Sequence, residues 1–265
     1  MNPVRSVLIC HAGDDFDREG LAAWLASFTE LVGIVVLDET AAQKRARFRR
    51  ELRRVGPLRF LDVVAMRFYQ RLAIAAHDHA WMRQALADMC RRYGAPPVVP
   101  QIVAASVNDP KVLEFLRGIA PDLMLARCKQ LLKKKLINLP RLGCFVLHPG
   151  ICPEYRNAHG CFWALAERDL TRVGMTLLKV DAGVDTGPVY GHYSYPFDEK
   201  HESYNVIQYR VVSENLDALA DRFGEIAAGT AQPIDTRGRA SANWGQPWLT
   251  RYLGWRRAVA KAAAR

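Results

Sequence analysis

No Gly-x-Gly-x-x-Gly follows the first apolar run of this sequence, where His11-Ala12-Gly13-Asp14 stands instead, and no Gly-x-x-x-x-Gly-Lys-Ser/Thr loop occurs. A dinucleotide or a nucleoside triphosphate therefore finds no phosphate-cradling motif. Cysteine is sparse and scattered (Cys10, Cys90, Cys128, Cys144, Cys152, Cys161) with no Cys-x-x-Cys pair, which removes the usual zinc and dithiol signatures. Buried, reduced thiols fit a reducing compartment, and a cytoplasmic location is the expectation. No apolar run reaches the length of a membrane span, and Met1 to Cys10 lacks a basic region followed by a long apolar stretch, so neither an anchor nor an export signal is expected. Internal repeats and low-complexity linkers are also missing.

Half of the 265 residues are apolar, enough for the core of one large domain, and the formal charge is +10. The excess is clustered: Lys44 to Arg54, Lys133 to Lys135, and Arg251, Arg256, Arg257, Lys261 and Arg265. Such runs are ordinarily solvated helix faces. Their functional counterpart is attraction of a phosphorylated substrate, a polyglutamylated folate, an acidic membrane or RNA.

Strand and helix periods alternate along the chain. Val4 to Cys10 reads as a buried strand, Phe16 to Phe28 as a helix and Leu31 to Leu37 as a second strand, the pattern of a parallel βαβ unit. Ala41 to Tyr93 reads as amphipathic helix interrupted at Gly56-Pro57 and near His77-Asp78, with a short strand at Val98-Val99. Asn108-Asp109-Pro110 starts a helix to Arg117. Pro121 to Ala126 and Cys144 to Leu147 are further strands, separated by a short helix near Leu131 to Lys135. A helix near Cys161 to Glu167, strands at Met175 to Val180 and Val189 to Tyr195, and one long helix from Glu202 to Ala228 complete the pattern. The expected fold is α/β, an open, mostly parallel twisted sheet with helices on both faces. Residues 1–228 form its catalytic domain and residues 229–265 a basic, tryptophan-containing tail. Ligands bind such sheets at the carboxyl ends of the strands, which singles out the residues after Cys10, Ala126 and Leu147. In the tail, Trp244, Trp248, Tyr252, Leu253 and Trp255 interleave with Arg251, Arg256 and Arg257. They either pack back on the domain, the favoured reading, or make a weak contact with an anionic membrane or a partner.

Two stretches carry chemistry. Leu147-His148-Pro149-Gly150-Ile151-Cys152-Pro153-Glu154-Tyr155-Arg156-Asn157 places a histidine at a strand exit, followed by a loop that its prolines stiffen. Asp181-Ala182-Gly183-Val184-Asp185-Thr186-Gly187-Pro188 is a tight turn between two strands. Alone, His148 reads as a packed histidine and Asp185 as a turn residue; the pair, with Gly174-Met175-Thr176 between, is far more specific.

Together these motifs resemble the formyltransferase catalytic domain, a Rossmann variant shared by glycinamide ribonucleotide, methionyl-tRNA and sugar N-formyltransferases. The resemblance is strong from Asp109 to Tyr193, loose over the first hundred residues and absent after Ala228. It implies formyl transfer from 10-formyltetrahydrofolate, as co-substrate, to a small-molecule amine without a metal. His148 would donate a hydrogen bond to the formyl oxygen and Asp185 would brace it and help move the amine's proton. It further implies folate and substrate contacts at Leu125, Ala126, Arg127, Pro149, Gly150, Arg156, Asn157, Asp181, Gly183 and Gly187. It sets tRNA aside as the acceptor, because that branch carries a C-terminal β-barrel, and it leaves the oligomeric state undefined.

Three positions depart from the family pattern. Val146 stands where the family has a catalytic asparagine, and removing one oxyanion donor costs roughly 2.7–4 kcal/mol. Asn157 stands where the family has glycine, and Arg127-Cys128-Lys129 replaces a glycine-containing turn. Asn157, Arg127 and His159 are the candidates to replace the missing donor. Two other readings follow from the same residues: a catalytically impaired relative that binds a folate or a sugar, and a cysteine hydrolase using Cys152.

Overall fold

A computed structural model describes residues 3–264. Met1 and Arg265, named above for the leader and the basic tail, lie outside the described residues. The strands are β1 (Arg5–His11), β2 (Glu30–Leu37), β3 (Gln101–Ala104), β4 (Leu123–Ala126), β5 (Gly143–His148), β6 (Arg156–Asn157), β7 (Met175–Lys179), β8 (Val189–Tyr193) and β9 (Asn243–Trp244). The helices are α1 (Ala22–Ala26), α2 (Ala41–Tyr69), α3 (Ala75–Tyr93), α4 (Pro110–Ile119), α5 (Lys134–Ile137), α6 (Gly160–Ala166), α7 (Tyr204–Ser213), α8 (Leu216–Ala228) and α9 (Leu249–Ala263).

Seven strands form one sheet in the order β3-β2-β1-β4-β5-β7-β8. β3 to β5 run parallel, while β7 and β8 pair antiparallel at one edge. Strand alternation sends Leu8, Cys10, Leu125, Phe145 and Leu147 to a core shared with Trp24 of α1 and Phe223 of α8. Val7, Ile9, Met124, Ala126 and Cys144 meet Val112 and Leu116 of α4 and Leu136 of α5 on the opposite face. Burial on both faces explains why these strands read as continuous apolar runs. From β1 the chain winds outward to β2 and β3, then crosses back to β4 and β5. The strand order therefore reverses between β1 and β4, where sheets of this kind hold ligands.

Several expected boundaries move. The first helix begins as a π-type turn, Phe16–Leu21, and α1 closes at Ala26 because the Ser27 and Thr29 hydroxyls bond the carbonyls of Trp24 and Leu25. The third strand is Gln101–Ala104 rather than Val98-Val99, since Pro96, Pro97 and Pro100 have no N–H to give a ladder. The second interruption of the long helical region is a π-type turn at Gln70–Ile74, not His77-Asp78. Asp78 lies buried inside α3, where its carboxylate receives Ser203 Oγ at 2.6 Å and Asn205 Nδ2 at 3.0 Å. The expected helix from Glu202 to Ala228 is α7 and α8, divided where the Asn215 side-chain amide donates to the carbonyls of Val211 and Ser194.

A second core lies among α2, α6, α7 and α9, built on Phe162, Trp163, Tyr204, Tyr252 and Trp255. The tail's aromatic residues thus pack back on the domain, with Tyr252, Trp255 and Val259 buried. The chain before α9 also adds β9, which pairs in parallel with β6 of the strand-exit loop.

Candidate active site

β5 delivers His148 as its last residue, opposite Thr176 of β7. His148 is only 3% exposed. Its Nε2 lies 2.7 Å from the Tyr155 carbonyl oxygen. A carbonyl only accepts, so Nε2 carries the proton and Nδ1 is the nitrogen left to gain or lose one. Nδ1 faces Asp185 Oδ2 at 3.4 Å. The two residues singled out by sequence are therefore neighbours, although β7 intervenes between them in the chain.

The loop after His148 is folded tightly on itself. Gly150 donates its N–H to the His148 carbonyl, and a Cβ on Gly150 would come within 2.7 Å of both Gly160 Cα and the Tyr155 carbonyl. Thr176 Oγ1 donates to the Gly150 carbonyl at 2.7 Å and accepts from the Cys152 N–H at 2.9 Å. That buried hydroxyl is why threonine follows Gly174-Met175 here. The Pro149 carbonyl receives the Cys161 N–H, which ties the loop to α6.

The Asp181–Pro188 turn closes over this loop. Arg156 Nη1 donates to the Val184 carbonyl at 3.0 Å, and the Asn157 N–H donates to Asp185 Oδ2 at 2.8 Å. Asp181 fixes the turn by accepting from the Gly183 N–H and the Thr186 hydroxyl, each at 2.9 Å. Gly187 is required because a Cβ there would run into the Lys179 carbonyl. Asp185 adopts φ 50°, a left-handed conformation that aspartate tolerates better than most residues. Its side chain is 18% exposed, so of the pair it is Asp185 that reaches the surface. Ala182 and Gly183 are exposed at the tip of the turn. Among the described residues no protein group bonds the Ala182 carbonyl or the Val184 N–H, which leaves a main-chain acceptor and donor unpaired at the turn.

The remaining expected residues are close by but engaged. Leu125 and Ala126 are buried in β4, their main chains paired with β1 and, for Leu125, β5. Arg127 is mostly buried, donating Nε to Asp17 at 2.9 Å and Nη1 to the Leu147 carbonyl at 2.7 Å. Burial pushes the Asp17 carboxyl up to about 7, against the pull of the Arg127 charge. Asn157 Nδ2 donates to the Trp244 carbonyl at 2.6 Å. These bonds hold both side chains in place but leave Arg127 Nη2 without a protein partner among the described residues, while Val146, where the asparagine is missing, packs on Cys152, Leu178 and Val189.

His159 is different. It adopts φ 57° just before α6, and its Nδ1 is buried without a hydrogen-bond partner. Burial, reinforced by the Lys129 and Arg67 charges, holds its pKa down to about 4, so the ring is neutral near pH 7. Lys129 is itself held below the usual lysine range by desolvation and by Arg47. This crowding of cations marks an electropositive rim along the strand exits.

The cysteine reading loses its footing. Cys152 is 1% exposed, and burial together with the Asp185 charge pushes its thiol up, away from the thiolate a nucleophile needs. Among the described residues no group of three or more His, Cys, Asp or Glu is arranged as metal ligands.

The sequence reading missed the brace behind the loop. Glu154 is bound in bidentate fashion by Arg239 at 2.9 and 2.8 Å, and its carbonyl accepts Trp244 Nε1 at 2.9 Å. Trp244 also stacks between Tyr155 and Trp163, with ring centroids 5.4 and 4.8 Å apart. A two-residue strand such as β9 has no periodicity to read.

The family model described as Formyl transferase matches residues 90–222. A methionyl-tRNA formyltransferase from Syntrophus aciditrophicus is 33% identical over 134 residues, covering 47% of this chain and 42% of the relative. One from Thermotoga maritima is 30% identical over 135 residues, covering 51% and 42%. The chain thus spans less than half the length of these curated relatives. Among solved structures, phosphoribosylglycinamide formyltransferase from Anaplasma phagocytophilum superposes with a TM-score of 0.56 at 14% identity, covering 93% of this chain and 100% of that one. A sugar N-formyltransferase from a Shewanella species gives 0.53 at 16%, covering 91% and 76%. Family match and shared architecture agree: the chain belongs to the formyl transferase family.

Proposed function

We propose that this protein transfers the formyl group of 10-formyltetrahydrofolate to an amine on a small, anionic molecule. The observation that carries the reading is the pairing of His148 with Asp185 in two mutually bonded loops beside the strand-order reversal. The amine nitrogen forms a bond to the formyl carbon, the bond from that carbon to N10 breaks, and the amine's proton ends on N10. Asp185, the exposed member of the pair, takes that proton and returns it. His148 gives up the oxyanion role expected from the sequence, because its Nε2 proton is engaged by Tyr155. It acts behind Asp185, its Nδ1 sharing the carboxylate's proton. His159, with a neutral ring whose Nδ1 is enclosed, supplies through its other ring nitrogen, Nε2, the hydrogen bond to the developing oxyanion that Val146 cannot.

The exposed turn Ala182-Gly183 suits the pterin through main-chain contacts, and the cationic rim of Lys129, Arg47 and Arg67 suits the glutamyl tail or an acceptor phosphate. The curated relatives are named for a tRNA acceptor, but this chain matches only 42% of their length, and the acceptor proposed for it is the small molecule. Incubating the protein with 10-formyltetrahydrofolate and pooled amino sugars, phosphoribosyl amines and amino acids tests the reading: tetrahydrofolate accumulates with at least one pool. Saturable folate binding with no release in any pool would instead favour a second reading, a ligand-binding relative without turnover, which the apolar packing of Val146 supports.

A further inference from the structure

We propose that α2, with the π-type turn that follows it, is a docking surface for an anionic lipid bilayer. Gly56, at φ 76° and ψ 166°, breaks α2 into two arms, residues 41–55 and 57–69. Phe48 and Phe60 pack edge to face across that break with ring centroids 4.4 Å apart. In one straight helix residues twelve positions apart stand about 18 Å apart. The chain therefore bends sharply at Gly56, and the arms lie against each other.

The second arm is apolar on two sides. Phe60, Val63 and Met66 are buried against the domain. Leu58, Leu61 and Phe68 point away, within about 80° of one another on a helical wheel and roughly opposite the buried face. They are 83%, 66% and 62% exposed, and Leu72 in the following turn is 83% exposed. With Phe48 they are five of the nine large apolar side chains exposed among the described residues. Isolated exposed leucines need no explanation, but a cluster on one helix face does.

The first arm is cationic. Ten residues from 41 to 74 are Lys or Arg and only two are acidic. Arg47 is paired with Glu39 and Arg54 with Glu51, while Lys44, Arg45, Arg49, Arg50, Arg53 and Arg71 are exposed with no ion pair among the described residues. Lys44, Arg45 and Arg49 of the first arm, with Phe48, line one open cavity of about 440 Å³ with Arg67 of the second, and so converge on one cationic space. Protruding apolar chains beside a cationic arm are the pattern of a helix lying in the bilayer interface, with leucines in the acyl boundary and arginines at the headgroups. A second copy of the chain meeting this face across a two-fold axis would bring like charges together. A rigid protein would need a groove for side chains this prominent, whereas a bilayer yields to them. The surface lies before residue 90, outside the segment the family model matches.

Flotation of the full chain with phosphatidylcholine vesicles, with and without phosphatidylglycerol, tests the proposal. The protein should float with the anionic vesicles, float less as salt rises, and stay behind with the neutral ones. The exposed substitutions Leu58→Ser, Leu61→Ser, Phe68→Ser and Leu72→Ser, combined, should lower partitioning by on the order of tenfold or more at an unchanged melting temperature. Arg45→Glu with Arg49→Glu should do the same, and neither variant contains a residue placed in the active site. Equal flotation of wild type and both variants would overturn the proposal. So would wild type that fails to float but sediments as a dimer that the serine variant converts to monomer, because the face would then be a contact between copies. Failure to float while an acidic protein binds the basic arm would overturn it as well.

Discussion

Replacing Asp185 by asparagine separates the chemistry of this site from its architecture. Asp185 does three things: it faces His148 Nδ1 at 3.4 Å, it accepts the Asn157 N–H at 2.8 Å, and it holds φ 50°. Asparagine keeps the last two, since its amide oxygen accepts the same N–H and its short polar side chain tolerates the left-handed region. Alanine loses both, and left-handed strain plus an unpaired N–H together cost on the order of 3 kcal/mol. Asp185→Asn should therefore melt near the wild-type temperature, while Asp185→Ala melts well below it. What asparagine cannot do is take a proton. A positioned acid–base group contributes about 10²- to 10⁴-fold, so kcat should fall by that factor, roughly 3–5 kcal/mol of barrier, with little change in KM for the folate. The assay follows tetrahydrofolate release at saturating 10-formyltetrahydrofolate, beside thermal unfolding of the same samples. A folded Asp185→Asn protein whose kcat lies within about tenfold of wild type would refute the proton-transfer role.

Three further outcomes follow from the same geometry. Arg127→Ala leaves the Asp17 carboxylate buried without its partner, and breaking such a pair typically costs about 3–5 kcal/mol, read as a lower urea midpoint with an unchanged slope. His159 is neutral in the fold, with its pKa held to about 4, and takes up a proton near the ordinary histidine value of 6.5 once unfolded. Stability is therefore lost as pH falls from 6.5 toward 4, by on the order of 3 kcal/mol, and His159→Gln should flatten that part of the urea-denaturation profile. Gly187→Ala drives a methyl group into the Lys179 carbonyl, so the turn must shift; a loss of about 1–3 kcal/mol, with a larger loss of kcat/KM than of melting temperature, should appear in parallel unfolding and turnover assays.

Local signals in the sequence located the strands and the two motif loops that meet at His148 and Asp185, and long-range ones were read poorly. β1, β2, β4 and β5 were legible because apolar residues fill both faces of a covered parallel sheet, and strand order then follows from the βαβ rules. His148 and Asp185 were legible because glycine and proline fix the loops that carry them. The division between α7 and α8 was hidden because Asn215 acts through carbonyls brought to it by folding, one of them on Ser194. Roles were harder to read than places. Sequence offered His148 as the oxyanion donor, but that role depends on a Tyr155 carbonyl reaching back to Nε2. It offered Asn157 and Arg127 as replacement donors, and it could not show that Trp244 holds one and Asp17 the other, both distant in the chain. The tail's aromatics pack back on the domain, as the favoured reading had them, and the exposed apolar face lies instead on α2. Amphipathic periodicity alone does not say which face of a helix the rest of the chain will cover.

The most direct test of the account uses 10-formyltetrahydrofolate labelled with carbon-13 in the formyl carbon, mixed with the purified protein and a pool of small amines, with the products read by mass spectrometry. The account predicts one or a few amines carrying the labelled formyl group, formed in step with tetrahydrofolate, and none with Asp185→Asn on the same timescale. Label that stays on the folate while the protein binds it, or label that appears as free formate with no formylated amine, would contradict it.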